Sequence, residues 1–295
     1  MKWSDRMNSA IDYIEKNIDD EVSIKKVAEE AFCSSFHFQR MFFAILGITP
    51  AEYIRRRRLT LAAKELTTGN EKVMDIALKY GYESPNAFTR AFRNMHGINP
   101  REVRTSEGKL SAYNRVSFHV KIKGGNGMDY RIIEKPAFKL VGKSKKFNSE
   151  NFFKKAPKFW KEYVNTKEYQ KLWGLTNGKW GQVTAAPLMS VYLPDNDSGK
   201  RDSFTDILGV EKPAETDSGK FNVFQIPAAT YAEFNCTYQT SVKMNKHIYG
   251  EWFASTGYDR DEQKPDIAAY FPMAFMSLKG MGVRWWIPII KKVAN

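Results

Sequence analysis

Ser34-Ser35-Phe36-His37-Phe38-Gln39-Arg40-Met41-Phe42 and Ser84-Pro85-Asn86-Ala87-Phe88-Thr89-Arg90-Ala91-Phe92 follow one pattern, and reading them together decides the fold of the first hundred residues. Ser34, Phe38, Arg40, Phe42, Gly47, Ile48 and Pro50 recur as Ser84, Phe88, Arg90, Phe92, Gly97, Ile98 and Pro100, each displaced by 50 positions. Upstream, Val27 and Ala28 recur as Ile76 and Ala77 with one residue less. That many matches in one register mark an internal repeat.

Each copy has the same physical logic. A short helix with Val27 and Ala28, or Ile76 and Ala77, on its apolar side ends in a tight turn. A second helix starts at a serine, whose side-chain oxygen accepts from the free N–H groups of the first turn. Phe38 and Phe42, like Phe88 and Phe92, stand four apart, share one face and pack inward. The opposite face is left outward, as in a helix-turn-helix unit whose second helix enters a major groove. Between the copies, Leu59, Ala62, Ala63 and Leu66 have the i, i+3, i+4, i+7 spacing of a connecting helix. The consecutive Arg55 to Arg58 point in different directions around it, some toward solvent or phosphate. Helical runs are expected at Met7 to Asn17, Ile24 to Ala31, Phe36 to Leu46, Ala51 to Leu66, Val73 to Tyr80 and Asn86 to Met95. The fold class is thus an all-α N-terminal domain of two helix-turn-helix units joined by a connecting helix.

After Arg104 the pattern changes to β-branched alternation (Val116 to Ile122) and then to Gly124, Gly125, Asn126 and Gly127, where a linker is expected. The expected organisation is a DNA-binding domain over 1–108, a linker over 109–127 and a second domain over 128–295. A length of 295 residues fits two domains, and 42% hydrophobic and 14% aromatic residues exclude a disordered chain. The opening segment reads as no signal peptide and no apolar run reaches membrane-spanning length, so a cytoplasmic protein without a membrane partner is expected. Cys33 and Cys236 match no zinc or redox spacing and read as reduced thiols. The net charge of +13 favours a polyanionic partner, yet residues 1–110 hold +3 of it and residues 111–295 hold +10. Charge alone points to the wrong half.

With these residues in view, the N-terminal third resembles the AraC/XylS family of transcription regulators. The resemblance rests on 34–42, on Tyr53-Ile54, and on Ile76-Ala77, Gly81-Tyr82-Glu83-Ser84, Phe88-Thr89-Arg90-Ala91-Phe92 and Gly97-Ile98-Asn99-Pro100. It implies double-stranded DNA as partner, with two recognition helices in adjacent major grooves, and RNA polymerase as a further partner of an activator. Carried over by position, Phe36, Gln39 and Arg40 of the first helix, with Ser35, and Pro85, Asn86, Ala87, Thr89 and Arg90 of the second, face DNA. Their chemistry suits the role: Gln and Asn pair with adenine and Arg with guanine, Phe36 and Ala87 suit thymine methyls, and Ser35 and Thr89 suit phosphates.

The C-terminal half reads as an α+β domain of two strand-helix-strand-strand repeats. The first has a strand over Met128 to Phe147 with Pro136-Ala137 inside it, an aromatic helix over Phe152 to Trp173 and a strand over Leu188 to Leu193. The second has a strand over Phe221 to Thr237 with Pro227-Ala228, a helix over Val242 to Ser255, and strands over Ile267 to Met273 and Gly282 to Ile290. The motifs Tyr130-Arg131-Ile132-Ile133-Glu134-Lys135-Pro136-Ala137, Tyr231-Ala232-Glu233-Phe234 and Trp286-Ile287-Pro288-Ile289 resemble the GyrI-like effector-binding domain. The resemblance implies a small-molecule effector.

Many members that take cationic drugs carry a glutamate where this chain has Arg284. An arginine there favours an aromatic effector that is anionic or neutral, unless Glu233 or Glu251 supplies the acid. Of Trp160, Tyr163, Trp173, Tyr192, Trp252, Tyr270 and Trp286, the residues expected at the ligand are Tyr192 and Trp286, together with Glu233 and Arg284. A protein-interaction or sequestration module is the alternative for this half, and a small-molecule hydrolase the weaker one. No catalytic constellation, metal-ligand cluster or cofactor motif is evident, so no catalytic residue, metal or cofactor is expected.

Overall fold

The computed structural model describes residues 3–104, 110–119, 129–194, 203–271 and 281–292. The glycine-rich stretch 124–127, the two proposed boundaries at 108 and 128, and Ile122 lie outside the described residues. The chain divides into two units: Met1–Phe38 with Leu46–His119, and Gln39–Ile45 with Val120–Asn295.

The first unit is helical: α1 Trp3–Lys16, α2 Ile24–Glu30, α3 Ser35–Leu46, α4 Pro50–Thr68, α5 Val73–Lys79 and α6 Pro85–His96, followed by a 3₁₀ turn at Pro100–Glu102. The repeat is visible in the element bounds, because α3 and α6 start and stop 50 positions apart. They begin alike: Ser34 Oγ accepts from His37 N and Ser84 Oγ from Ala87 N, each at 3.3 Å. They also end alike, with Gly47 at φ +73° and Gly97 at φ +79°, a left-handed conformation that glycine adopts without a Cβ penalty.

The connecting helix α4 behaves as its spacing requires. Thr49 caps it, accepting from Glu52 N, and Leu59, Ala62, Ala63 and Leu66 are buried. They meet Ile76, Ala77, Tyr80, Phe88, Phe92 and Val103 in one apolar cluster. The four arginines of α4 all have partners within the protein. Arg55 and Arg56 bind Glu52, Arg57 makes a bidentate pair with Glu15 and donates to Tyr113 O, and Arg58 donates to Ile18 O and Asp20 O. Residues 110–119, within the stretch expected as linker, run along this unit: Tyr113 N donates to Thr60 Oγ1 and Phe118 N to Asn8 Oδ1. Val116 to His119 form no strand.

The second unit is an antiparallel sheet with helices. Its elements are β1 Tyr130–Lys135, β2 Phe138–Asn148, α7 Ser149–Tyr163, α8 Lys167–Gly174, β3 Leu188–Pro194, β4 Ser203–Glu211, β5 Asn222–Ile226 and β6 Ala229–Thr237. They continue as α9 Ser241–His247, a π turn Ile248–Trp252, α10 Phe253–Ser255, β7 Tyr258–Arg260, β8 Asp266–Phe271 and β9 Gly282–Lys291. The strand order is β1-β6-β9-β8-β3-β4-β2-β5, with β7 beside β9. The segments β2-α7-α8-β3-β4 and β6-α9-α10-β8-β9 occupy opposite halves, and β3 meets β8 at the centre. Each edge is supplied from the other side: β1 pairs with β6 and β5 with β2.

Several expected elements are corrected. The single strands over 128–147 and 221–237 are each two strands, because Pro136 and Pro227 donate no N–H and interrupt the ladder. The aromatic helix is two helices, broken before Thr166, whose hydroxyl caps α8 by accepting from Tyr169 N. The helix over 242–255 carries a π turn at its middle. β4 and β7 have no counterpart in the sequence reading.

One face of the sheet carries the core, with Leu140, Met189, Val191, Ile207, Tyr231, Ile267, Ala269 and Trp286 in one buried cluster. Gly142 pairs directly with Gly209 across β2 and β4. A Cβ on Gly142 would lie 2.3 Å from Leu208 O and 2.6 Å from Gly209 Cα, so these backbones approach closely only because both residues are glycine.

Candidate nucleic-acid and effector sites

α6 is sharply two-sided. Phe88, Phe92 and His96 are buried on one side, whereas Pro85, Asn86, Arg90, Arg93 and Asn94 are exposed. Asn86, Arg90 and Arg93 follow at four and then three residues and so form one outward stripe. Ala87 and Thr89 are half-buried at its edge. Five residues expected at DNA therefore share the outer half of one capped helix. Arg93 and Asn94 extend the stripe and were missed, although the same helical spacing that singles out Asn86 and Arg90 points to them.

α3 differs along its whole length. Ser35 is half-buried, and Phe36, His37, Phe38, Gln39, Arg40, Met41 and Phe42 are buried. Gln39 and Arg40 belong to the second unit. Both amide atoms of Gln39, which is 2% exposed, lack a hydrogen-bond partner among the described residues.

In the second unit, alternation along the strands sorts the expected ligand residues onto two faces. Glu233 and Trp286 are register partners on β6 and β9 and lie on the core face. Glu233, 3% exposed, accepts from Trp286 Nε1 at 2.9 Å and from Arg131 Nε at 3.0 Å, with Arg284 Nε 3.5 Å from its Oε2. Lys135 Nζ lies 4.2 Å from the centre of the Trp286 ring and donates to Val183 O. Burial holds the Lys135 ammonium below its ordinary pKa, against the pull of Glu233. Three of the four expected residues, Glu233, Arg284 and Trp286, are thus brought together as a saturated charge cluster.

Tyr192, the fourth, stands on the opposite face. Its ring stacks on Trp285 at 6.0 Å, and its register partners are Asp206 on β4 and Asp266 on β8. Asp266 is fully buried. Its Oδ2 accepts from Tyr249 Oη at 2.9 Å and from Arg40 NH1 at 2.6 Å, and its Oδ1 accepts from Arg260 Nε at 3.0 Å. The Arg40 guanidinium carbon lies 4.8 Å from the Tyr192 ring centre and 4.7 Å from that of Trp285, and NH2 donates to Asn245 Oδ1. Asp206, also buried, accepts from Trp160 Nε1 at 2.6 Å. Burial pushes the Asp206 carboxyl up to about 7, with Trp160 and Arg40 opposing the shift.

Asp266, Asp206, Tyr249 and Trp285 were not expected at the site. The Trp285-Trp286 pair carries the signal for one of them: adjacent strand residues face opposite ways, and only the register tells which indole joins Tyr192. Of the other aromatics, Trp252 packs on Tyr130, Phe234 and Tyr258, and Trp173 is exposed.

Cys33 and Cys236 are not joined in a disulfide, and burial raises Cys236 to about 11, far from thiolate reactivity. Among the described residues there is no helix long and apolar enough to cross a membrane.

Comparison with known proteins assigns both halves. A family model described as "Helix-turn-helix domain" matches residues 27–106, and one described as "Integron-associated effector binding protein" matches residues 131–289. The chain is 42% identical over 95 residues to the HTH-type transcriptional activator AarP of Providencia stuartii, covering 32% of this chain and 70% of AarP. It is 37% identical over 98 residues to the multiple antibiotic resistance protein MarA of Escherichia coli, covering 33% of this chain and 77% of MarA. An integron cassette protein from Vibrio cholerae is similar in structure at a TM-score of 0.38 and 13% identity, over 55% of this chain and 95% of that one. The chain therefore belongs to the AraC-type helix-turn-helix transcription regulators related to MarA and AarP, and through residues 131–289 to the integron-associated effector binding proteins.

Proposed function

We propose that the protein is a ligand-responsive, sequence-specific regulator that reads two successive major grooves with α3 and α6 and answers to a small molecule bound by its second unit. The observation that carries this reading is the α6 stripe of Asn86, Arg90 and Arg93, opposite a buried face of Phe88, Phe92 and His96. A capped, rigid helix with amide and guanidinium groups on its free side supplies the donors and acceptors that base edges require. The 50-residue repeat supports a second reading helix, and the buried stripe of α4 supports a fixed separation between the two. Activation follows the name of AarP, a transcriptional activator, and contact with RNA polymerase in the cytoplasm is part of the proposal.

The effector reading is supported by the face that holds Tyr192, Trp285, Tyr249 and two buried acids. Such a combination orients a ligand with few polar groups among aromatic walls. The test is selection of genomic fragments by the purified full chain, repeated with a panel of charged and neutral aromatic compounds. A bipartite site with half-motifs about 10 base pairs apart, its occupancy changed by at least one compound, is the expected result. Enrichment of one half-motif only removes the two-groove reading. Occupancy that no compound changes removes the effector reading and leaves the second unit as a protein-interaction module.

A further inference from the structure

We infer that the face of the second unit built by α7, α8 and the adjoining part of β2 grips the phosphate backbone of duplex DNA, without regard to sequence, through a field of lysines. The inference takes DNA as the partner from the proposed function. It is separate from base reading by α6 and from the effector reading.

The positive charge of the chain is concentrated on these three elements. Residues 138–174, which span β2, α7 and α8, hold ten lysines, no arginine and three acids, a net +7 of the chain's +13. The other half of the sheet serves as a control within the molecule. Residues 229–255, which span β6, α9 and α10, hold two lysines and two acids. A strand followed by helices is thus built in this unit without surplus charge, and the fold does not account for the lysines.

Their placement makes one surface. α7 is two-sided: Ala156 and Tyr163 are buried and Phe152, Phe159 and Trp160 half-buried on one side, whereas Lys155, Lys158 and Lys161 are exposed at i, i+3 and i+6 on the other. α8 adds Lys167 and Lys171, exposed and four apart. The two helices touch where the Tyr163 and Tyr169 rings meet at 5.8 Å. β2 joins them through Lys143, 3.1 Å from Glu168 of α8, and through Lys145, whose Nζ lies 5.3 Å from the centre of the Phe159 ring of α7. Glu162 faces Lys158 at 4.0 Å. Lys145, Lys155, Lys161, Lys167 and Lys171 make no ion pair among the described residues. A surface that serves only solubility intersperses both signs, whereas a field of one sign attracts a polyanion.

The chemistry of lysine selects the phosphate backbone. Its ammonium is a mobile point charge that meets a phosphate without fixed geometry, unlike the planar fork of arginine. Such contacts release counterions and supply affinity that is independent of sequence. The helical unit is poor in this term. Residues 1–110 hold only +3, and Arg55 to Arg58 are engaged within the protein. Once α6 holds a site, the second unit of the same chain meets the flanking phosphates at high effective concentration. No fixed arrangement of the two units is required, because phosphates recur all along a duplex.

Salt-titrated binding of the full chain to the selected site and to an unrelated duplex of the same length tests this. Lys155→Gln with Lys161→Gln is expected to lower the slope of log affinity against log salt by about 1–2 on both duplexes, since each phosphate contact contributes about 0.9. Both affinities should fall by a similar factor, so that the preference for the selected site is kept. Lys155→Arg with Lys161→Arg retains the charge and should retain the slope. Lys243→Gln with Lys246→Gln removes two exposed charges from α9 and should leave the slope of wild type. An unchanged slope in the first variant overturns the inference and leaves the field to an acidic protein partner. An equal drop in the α9 variant overturns it too, because net charge rather than this face would then set the slope. A drop in the arginine variant does the same by showing that packing and not charge was disturbed. Failure of base reading is distinguishable: with no selected site at all, the slope on unrelated DNA still tests the lysines.

Discussion

Replacing Asp206 by asparagine should change how stability depends on pH, with a size that follows from its surroundings. The carboxyl is 1% exposed, receives one indole N–H, and burial lifts its pKa from 3.8 to about 7. A raised folded-state pKa means that the native protein holds this proton between about pH 4 and 7 while the unfolded chain releases it. The contribution is therefore fully present below about pH 4 and is lost as pH rises through 7. Three units at 1.36 kcal/mol each amount to about 4 kcal/mol. Asparagine keeps the volume and an oxygen for Trp160 Nε1 and has no charge to bury.

Urea denaturation of wild type and Asp206→Asn from pH 4 to pH 9 is the assay. The variant's advantage should grow by about 1.4 kcal/mol per unit from pH 4 and level off near pH 7. Glu15 and His96, whose pKa values are also displaced, are present in both proteins and cancel in the difference. A difference that stays constant across this range would refute the argument.

Three further outcomes follow from named contacts. Gly142→Ala should destabilise the protein by about 3 kcal/mol in chemical denaturation, since its Cβ meets backbone that cannot turn aside. Glu15→Gln should cost about 2 kcal/mol at pH 7, because Arg57 loses its charged bidentate partner and an amide NH2 replaces the oxygen that accepts from Arg57 NH2, while the remaining oxygen still serves Tyr53 Oη. The Glu15 pKa is lowered: burial raises it, but the hydrogen bonds from Arg57 and Tyr53 outweigh that, so the cost should shrink as pH falls below the ordinary glutamate range. Ser84→Ala removes the acceptor for Ala87 N at the start of α6 and should lower thermal stability by an amount equivalent to about 1 kcal/mol.

The repeat made the helical unit legible because its decisive features are local. A serine cap, a phenylalanine pair four apart and a glycine after the helix act within one or two turns, and they recur with the same spacing. The different fates of Arg40 and Arg90 were not legible, because burial of α3 involves Asp266, Tyr192 and Trp285, far along the chain. In the second unit Pro136 and Pro227 announce the breaks they cause, although periodicity alone places them within strands. β4, whose Phe204, Asp206, Ile207, Leu208 and Val210 are buried whichever face they point to, offers no alternation to detect. Glu233 and Trp286 are neighbours, as their motifs suggest. Their face of the sheet depends on register, and register is a non-local property.

The most direct measurement is salt-titrated binding of the best selected DNA site to wild type, Asn86→Ala and Arg90→Ala. If α6 reads bases, each variant should lose about 1–3 kcal/mol of affinity on that site and retain its weak binding to unrelated DNA, with specificity relaxed in one half-motif. If both variants bind the selected site as wild type does, with the same salt slope, then α6 does not read sequence. The affinity would then belong to the basic residues elsewhere in the chain, contradicting the account.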